Sequence, residues 1–352
     1  MDQKQLESIS GFLEMSGFQY RVYDMGRKIQ RISNQKFAAI ESQEELYPFP
    51  FQQKAWLAIL LWDDAKKEEP VIWFLSFPID EMGLLKLESR DAFIRDLVEN
   101  VGENMQANLQ GGEHKDTLKE SPFSFKPRED RLAVFHALAT VELTQPPSQH
   151  YEHAREYLSG KVGFDQWQFL GLQGVADVIA RLSQEGNAAN LASALPKLPD
   201  MPLDTFMQAL EHVKFSGQLS AAVVTRLQAE ADKESPQPPL LASLLRALSS
   251  SEAKQSRVDL IRQFLSNEKL ATNIDLLAAI SGRCWLDLHD ETLLHSFLEA
   301  AALQEQNVFN ILLVDLMTLP DMRAKVLSGL RNPERSAGLS KRIGGFMGGV
   351  IH

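Results

Sequence analysis

The sequence predicts a mostly helical α+β protein, in which a small antiparallel-sheet N-terminal domain is followed by an α-solenoid of about six helix pairs. Three observations lead there. First, between Arg128 and Pro333 an apolar helix, a short polar break and a second apolar helix recur, each helix closing on an apolar residue, usually Leu. The first helices carry Ala137-Leu138, Val178-Ile179, Ala209-Leu210, Ala247-Leu248, Ala279-Ile280 and Asp315-Leu316. The second carry Tyr157-Leu158, Ala194-Leu195, Arg226-Leu227, Phe264-Leu265, Phe297-Leu298 and Gly329-Leu330. Both series repeat at roughly 35 residues, the spacing of stacked helix pairs that bury their apolar faces only against neighbours. Second, the apolar period upstream is that of strands. Third, Gly111-Gly112, a charged run, Pro122 and Pro127 interrupt both periods. These divide the chain into an α+β domain over 1–106, a linker over 107–127 and a helical-repeat domain over 128–352 that ends in a basic, Gly-rich tail. Limited proteolysis is expected to cut within 107–127 and leave a helical C-terminal fragment.

Taking the elements in order, Leu6, Ile9, Phe12 and Leu13 are spaced as in a helix over 3–15, with Gly17 as its stop. Gln19–Asp24 and Arg27–Ile32 alternate apolar and polar side chains around Asp24-Met25-Gly26, the pattern of a hairpin with one wet face. Ser33 caps a short helix through Ile40, ended by Tyr47-Pro48-Phe49-Pro50-Phe51. Ala55–Trp62 and Val71–Phe77 are apolar on both alternate faces, as paired central strands covered on each side would be, and DDAKKEEP supplies the turn between them. Ser89 and Asp91 start a helix through Met105 whose buried stripe is Phe93, Leu97, Val98 and Val101. Phe123 and Phe125 alternate with small residues, which suits a short extended piece pinned to one domain.

Composition excludes several functions. The 352 residues exceed one ordinary core, and 44% hydrophobic with 24% charged residues is the balance of a soluble globular protein. A net charge of -11 argues against general polyanion binding, which is built from Lys and Arg neutralising phosphates. One cysteine, Cys284, excludes an internal disulfide and a Cys-rich zinc site and implies a reducing compartment. MDQKQLESIS lacks the apolar core of a signal peptide, and no apolar run reaches membrane-spanning length, so a cytoplasmic location is expected.

The motifs are sparse. His150, His153 and Glu156 would share a helical face, yet a solvated face with Glu–Arg pairing accounts for them without a metal. His289, Asp290, Glu291 and His295 invite the same thought, but acids are favoured at a helix start. Trp56, Trp62 and Trp73 read as core in preference to a ligand cage. Gly160-Lys161 lacks the remaining residues of a phosphate loop, and there is no GxGxxG after a strand and no GxSxG elbow, so no cofactor is expected. Cys284 with His289 or His295 as base would be a nucleophile, but beside Trp285 and Leu286 it reads as a buried, inert thiol. No acid, base and nucleophile converge, and the reading leans away from an enzyme. The strongest local feature is the end of the chain, where Arg323, Lys325, Arg331, Arg335, Lys341 and Arg342 face only Asp321 and Glu334 before the Gly344–Val350 tail. These six are the candidate partner-binding residues. The same charges would also suit a polar cap that keeps the end of the repeat array soluble.

The stretches LEMSGFQYRVYDMGRKIQRIS, VIWFLSFPIDEMGLL and ESPFSFKPREDRLAVFHALAT resemble an uncharacterised gammaproteobacterial protein family, a domain of unknown function. That resemblance implies a bacterial cytosolic protein and carries no catalytic residues. The C-terminal half resembles HEAT-like helical-repeat solenoids, which implies a binding role. Two functions stand open. One is a non-enzymatic protein-interaction scaffold or adaptor of the bacterial cytosol, with homodimerisation through the N-terminal domain left open. The other is an accessory RNA or ribonucleoprotein-binding factor using the basic C-terminal cap. Neither involves a membrane.

Overall fold

The computed structural model describes residues 8–64, 69–110 and 121–349. The chain divides into two compact units, one comprising the chain up to Arg128 with Thr318–Pro320, the other Glu129–Met317 and Asp321 onward. Taken together their elements make a mostly helical α+β chain, with the sheet in the first unit.

In the first unit the elements run α1 (Ile9–Met15), β1 (Gln19–Asp24), β2 (Gln30–Ile32), α2 (Asn34–Glu41), β3 (Lys54–Trp62), β4 (Val71–Pro78) and α3 (Leu87–Gln110). The four strands form an antiparallel sheet in the order β2-β1-β3-β4. Register places Ile32, Val22, Ile59 and Trp73 in one cross-strand row. That face packs with Ile9, Leu13, Phe37, Ile40, Phe93 and Leu97 of the three helices into one core. The opposite face holds Trp56 and Trp62, with Phe125 edge-on to Trp56 at 4.9 Å. Trp73 therefore lies across the sheet from the other two, and Trp56 and Trp62 are about 20 Å apart along β3, so the three form no cage.

Four expectations are corrected. The second strand of the hairpin starts at Gln30, not at Arg27, and although Gln19 and Arg31 are exposed, Asp24 and Arg27 of the connection are buried. Asp24 Oδ1 accepts the Gly26 amide at 3.1 Å and the Tyr47 hydroxyl at 2.6 Å, Oδ2 accepts the Lys28 amide at 3.2 Å, and Arg27 Nε donates to Pro50 O at 2.6 Å. The carboxylate organises a loop where a strand was expected, which shortens β2 to Gln30–Ile32. Second, β4 is not a doubly covered central strand. Its outer edge pairs only briefly with the downstream chain, Ser76 donating to Phe123 O at 2.7 Å and the Phe125 amide to Phe74 O at 3.1 Å, while Val71 is 52% exposed. Third, α3 begins earlier and ends later than 89–105; Phe93, Ile94 and Leu97 are buried, Val98 is 41% exposed, and the side chain of Val101 lies outside the described residues. Fourth, positions 107–110 of the expected linker are helical, whereas 111–120, with Gly111 and Gly112, lie outside the described residues.

The turn into β3 is unusual. Phe51 and Lys54 exchange amide–carbonyl bonds at 3.1 Å across Gln52 and Gln53, both left-handed at φ 52° and 56°. A two-residue hairpin turn of this kind favours Asn-Gly, since a side chain in the left-handed region costs roughly 1 kcal/mol. The double change Gln52→Asn, Gln53→Gly is expected to stabilise the chain by about 1 kcal/mol. A melting temperature that stays put or falls would contradict this account of the turn.

The second unit contains α4 (Glu129–Glu142), α5 (Tyr151–Leu158), α6 (Leu172–Ala180), α7 (Asn187–Ala194), α8 (Asp200–Leu210), α9 (Gly217–Ala231) and α10 (Pro238–Leu248). It continues with α11 (Lys254–Ser266), α12 (Glu268–Ala271), α13 (Ile274–Arg283), α14 (Glu291–Ala302), α15 (Gln306–Met317), α16 (Met322–Gly329) and α17 (Ala337–Gly349). Two rows of contacts run through it. In one, α4, α6, α8, α10, α13 and α15 each touch the next, and in the other α5, α7, α9, α11, α14 and α16 do so. The residues that close the helices fill the interior, including Ile179, Leu210, Leu248, Ile280 and Leu316 in the first row and Leu195, Leu227 and Leu298 in the second. Leu138 and Leu265 are only half-buried, and Ala137 and Phe264 take the interior place beside them. The Gly-rich stretch Gly344–Gly349 belongs to α17, which packs on α14 and α15. Among the described residues no helix is long and apolar enough to cross a membrane.

Candidate functional site

The six candidate cations of the C-terminal end do not form one patch. Lys325 on α16 and Arg331 just beyond it line a groove of about 590 Å³ together with His289, His295 and Asn332. Arg335 instead donates through Nη1 to Leu330 O at 3.2 Å, at the end of α16, and through Nε to Ser340 Oγ at 3.1 Å. Arg342 donates from Nε to Ala302 O at 3.2 Å, the last residue of α14. Both satisfy carbonyls that a helix end leaves open, where cations are favoured by helix polarity. Arg323 and Lys341 are exposed and do not line the groove.

The groove owes its form to close packing of α16 on α14. A Cβ added at Gly329 would lie 2.9 Å from Leu298 Cδ1 and 3.5 Å from Leu294 Cδ2, so a larger residue here would have to push the Leu298 side chain aside. Leu294, Ala324 and Pro333 supply its apolar lining. The polar groups are held by their own contacts. Asn332 Oδ1 accepts the Glu334 amide at 2.9 Å, which turns its Nδ2 toward His295 Nδ1 at 3.3 Å. With a donor facing Nδ1, the neutral His295 ring carries its proton on Nε2, 3.9 Å from Glu299 Oε1. Glu299 in turn accepts from the Ser336 amide at 2.9 Å and hydroxyl at 2.6 Å, anchoring the start of α17. His289 differs. Its Nε2 is buried and has no hydrogen-bond partner among the described residues.

The other sequence candidates are dispersed. Asp290 caps α14 by accepting the Leu293 amide at 2.8 Å, which is the helix-start role expected of it. His150 precedes α5 and packs on Gly171, while Glu156 pairs with Lys161 at 3.8 Å. No group of three or more His, Cys, Asp or Glu side chains that could hold a metal is found among the described residues. Burial pushes the Cys284 thiol up to about 12, so it is protonated at neutral pH and no nucleophile.

Sequence reasoning missed the buried charges between helix pairs. Glu211, just past α8, lies 3.3 Å from Arg246 Nε on α10 and 3.1 Å from Arg283 Nη2 on α13. Burial would raise its carboxyl, but Arg283, His212 and Arg246 outweigh that and lower it to about 2. Arg257 on α11 pairs with Asp287 ahead of α14, and Arg181 pairs with Asp177 of α6 at 3.2 Å. The available signal was that Arg181, Glu211, Arg246 and Arg283 all stand at ends of first-row helices.

Chemically the groove brings cations, imidazoles, an amide, the Ser328 hydroxyl and the Glu291 carboxylate together over a partly apolar lining. No curated protein and no solved structure matches the chain. A family model does match it, over residues 4–347, and the chain belongs to that family, described as a protein of unknown function, DUF3549.

Proposed function

We propose that this chain is a non-enzymatic protein-interaction scaffold whose helical unit acts as an α-solenoid and docks an acidic partner at its C-terminal end. One observation carries the reading: Lys325 and Arg331 line a groove with an apolar portion, in a chain whose net charge is -11. Opposite-sign patches of this kind steer and orient partners. The RNA reading draws less support. The groove is lined by no Phe, Tyr or Trp on which a base would stack, and Arg335 and Arg342 are committed to backbone carbonyls.

The test uses the full tagged chain and its Lys325→Glu, Arg331→Glu variant, purified from the native host with and without nuclease. The expected result is a nuclease-resistant partner whose association slows about tenfold or more in the variant at low salt, while the melting temperature holds because exposed charges contribute within about 1 kcal/mol each. Arg335 and Arg342 are left unchanged, since reversing them would remove helix caps as well as charge. Equal association by the variant would reduce the groove to a solubility feature, and loss of the partner on nuclease treatment would favour the RNA reading.

A further inference from the structure

We infer that Glu211 is the clasp of a hinge in the helical array: it holds α13 to α8 across the end of α10, and its release opens the α10–α13 joint while α8 and α10 stay together. The hinge stands apart from the groove between α14 and α16 and needs no partner there.

The first argument is reach. α8, α10 and α13 follow one another in the first row. Glu211 directly follows α8, Arg246 lies in the last turn of α10, and Arg283 closes α13. Arg246 Nε and Arg283 Nη2 both meet that one carboxylate, at 3.3 and 3.1 Å, so a single side chain ties three helices. Stacked helix pairs otherwise cohere through nearest neighbours, and a link that skips a helix is one whose loss lets a stack bend. Glu211 is also costly where it stands. It is 5% exposed at a helix C-terminus, where both burial and helix polarity disfavour an anion, and the two guanidinium groups offset that cost.

The second argument is that the two joints are fastened differently. Between the ends of α8 and α10 the backbones bond directly, the Phe215 amide donating to Ser250 O at 3.4 Å and the Glu252 amide to Phe215 O at 3.3 Å. The Ser250 hydroxyl also donates to Glu211 O. The end of α13 meets its neighbours through side chains, Arg283 on Glu211 and Cys284 Sγ facing Leu245 O at 3.9 Å. Losing the Glu211 side chain therefore leaves the α8–α10 fastening in place and removes the ion pair that anchors α13. Arg257 and Asp287 hold α11 to the turn beyond Cys284, so the opened helix stays tethered. Cys284 is 1% exposed at this joint and is the single cysteine of the chain, which makes its thiol a reporter of the opening.

The experiment follows labelling of Cys284 by iodoacetamide in the full chain at pH 8.5 as urea is raised, beside urea denaturation read by helical circular dichroism. Burial keeps the thiol protonated, so it reacts only once it is exposed. The unaltered chain is expected to label faster than global unfolding allows, through an opening that depends weakly on urea below about 1 M. Glu211→Ala and Arg283→Met should each speed that labelling about tenfold or more, and the double variant should go no faster than the faster single one, because both changes release the same clasp. Phe135→Leu, in the buried part of α4 two helices before α8 in the row, should lower global stability and leave the labelling at low urea unchanged. Should Glu211→Ala fail to fold, Arg283→Met, which leaves Glu211 paired with Arg246, carries the test. Labelling that tracks global unfolding at every urea concentration, equal acceleration by Phe135→Leu, additive effects of the two clasp changes, or no acceleration by either would each overturn the hinge.

Discussion

Asp287→Ala is expected to destabilise the helical unit by about 3–5 kcal/mol. Arg257 on α11 meets Asp287 through two parallel bonds, Nε to Oδ2 at 2.6 Å and Nη2 to Oδ1 at 2.9 Å, with both side chains buried. Its third nitrogen, Nη1, donates to Leu248 O at 2.9 Å and Ser251 O at 3.3 Å. One guanidinium thus joins the end of α10, α11 and the turn that leads into α14. Removing the carboxylate strands a largely buried charge, and that penalty exceeds what the intact pair contributes. A control separates the two quantities. The double change Arg257→Leu, Asp287→Leu removes both charges and should recover most of the loss, because a buried pair and an apolar replacement are often near equal in free energy. Chemical denaturation followed by helical circular dichroism reads both. An Asp287→Ala chain within about 1 kcal/mol of the unaltered one would mean that the guanidinium finds water, and the account of this joint would be wrong.

The helix pairs were legible because burial in a stacked helix follows a local period. Leu210, Leu248 and Ile280 could be placed inside from their spacing alone, and all three are buried. What could not be read is set by partners distant in sequence. Arg27 read as the start of a strand, yet it and Asp24 are buried and satisfied by Pro50 and Tyr47, partners that no local alternation reveals. The place of β4 at the end of the sheet, with Phe123–Phe125 on its outer edge, is set by strand order, which no period in Val71–Phe77 encodes. The candidate site divides in the same way. A count of basic residues found Lys325 and Arg331, but it could not separate them from Arg335 and Arg342, whose guanidinium groups hydrogen-bond the ends of α16 and α14. His289 and His295 were visible as possible metal ligands. Their place in one groove with Lys325 appears only with α16 packed on α14.

Leu248→Ala is expected to cost about 2–5 kcal/mol through lost burial and the cavity left behind. Leu248 closes α10, a helix whose Leu240, Leu241, Leu244 and Leu245 are buried as well. From Leu240 to Leu248 every residue except Arg246 is buried, so the surroundings have little room to relax, the cavity should collapse poorly and the cost should lie in the upper part of that range. Position adds to this. α10 packs against α8, α9 and α13, and in a stack held by nearest-neighbour contacts a defect there weakens joints on both sides. The backbone of the same residue receives Arg257 Nη1, so Leu248→Ala and Asp287→Ala should not be additive. If the cavity loosens the end of α10, the guanidinium loses a carbonyl along with its carboxylate, and the double variant should fall further than the sum. Leu303→Ala is the control, since Leu303 is 63% exposed and its loss should stay within about 0.5 kcal/mol. A Leu248→Ala chain that melts with the Leu303→Ala control would show that the interior register assigned to α10 is wrong.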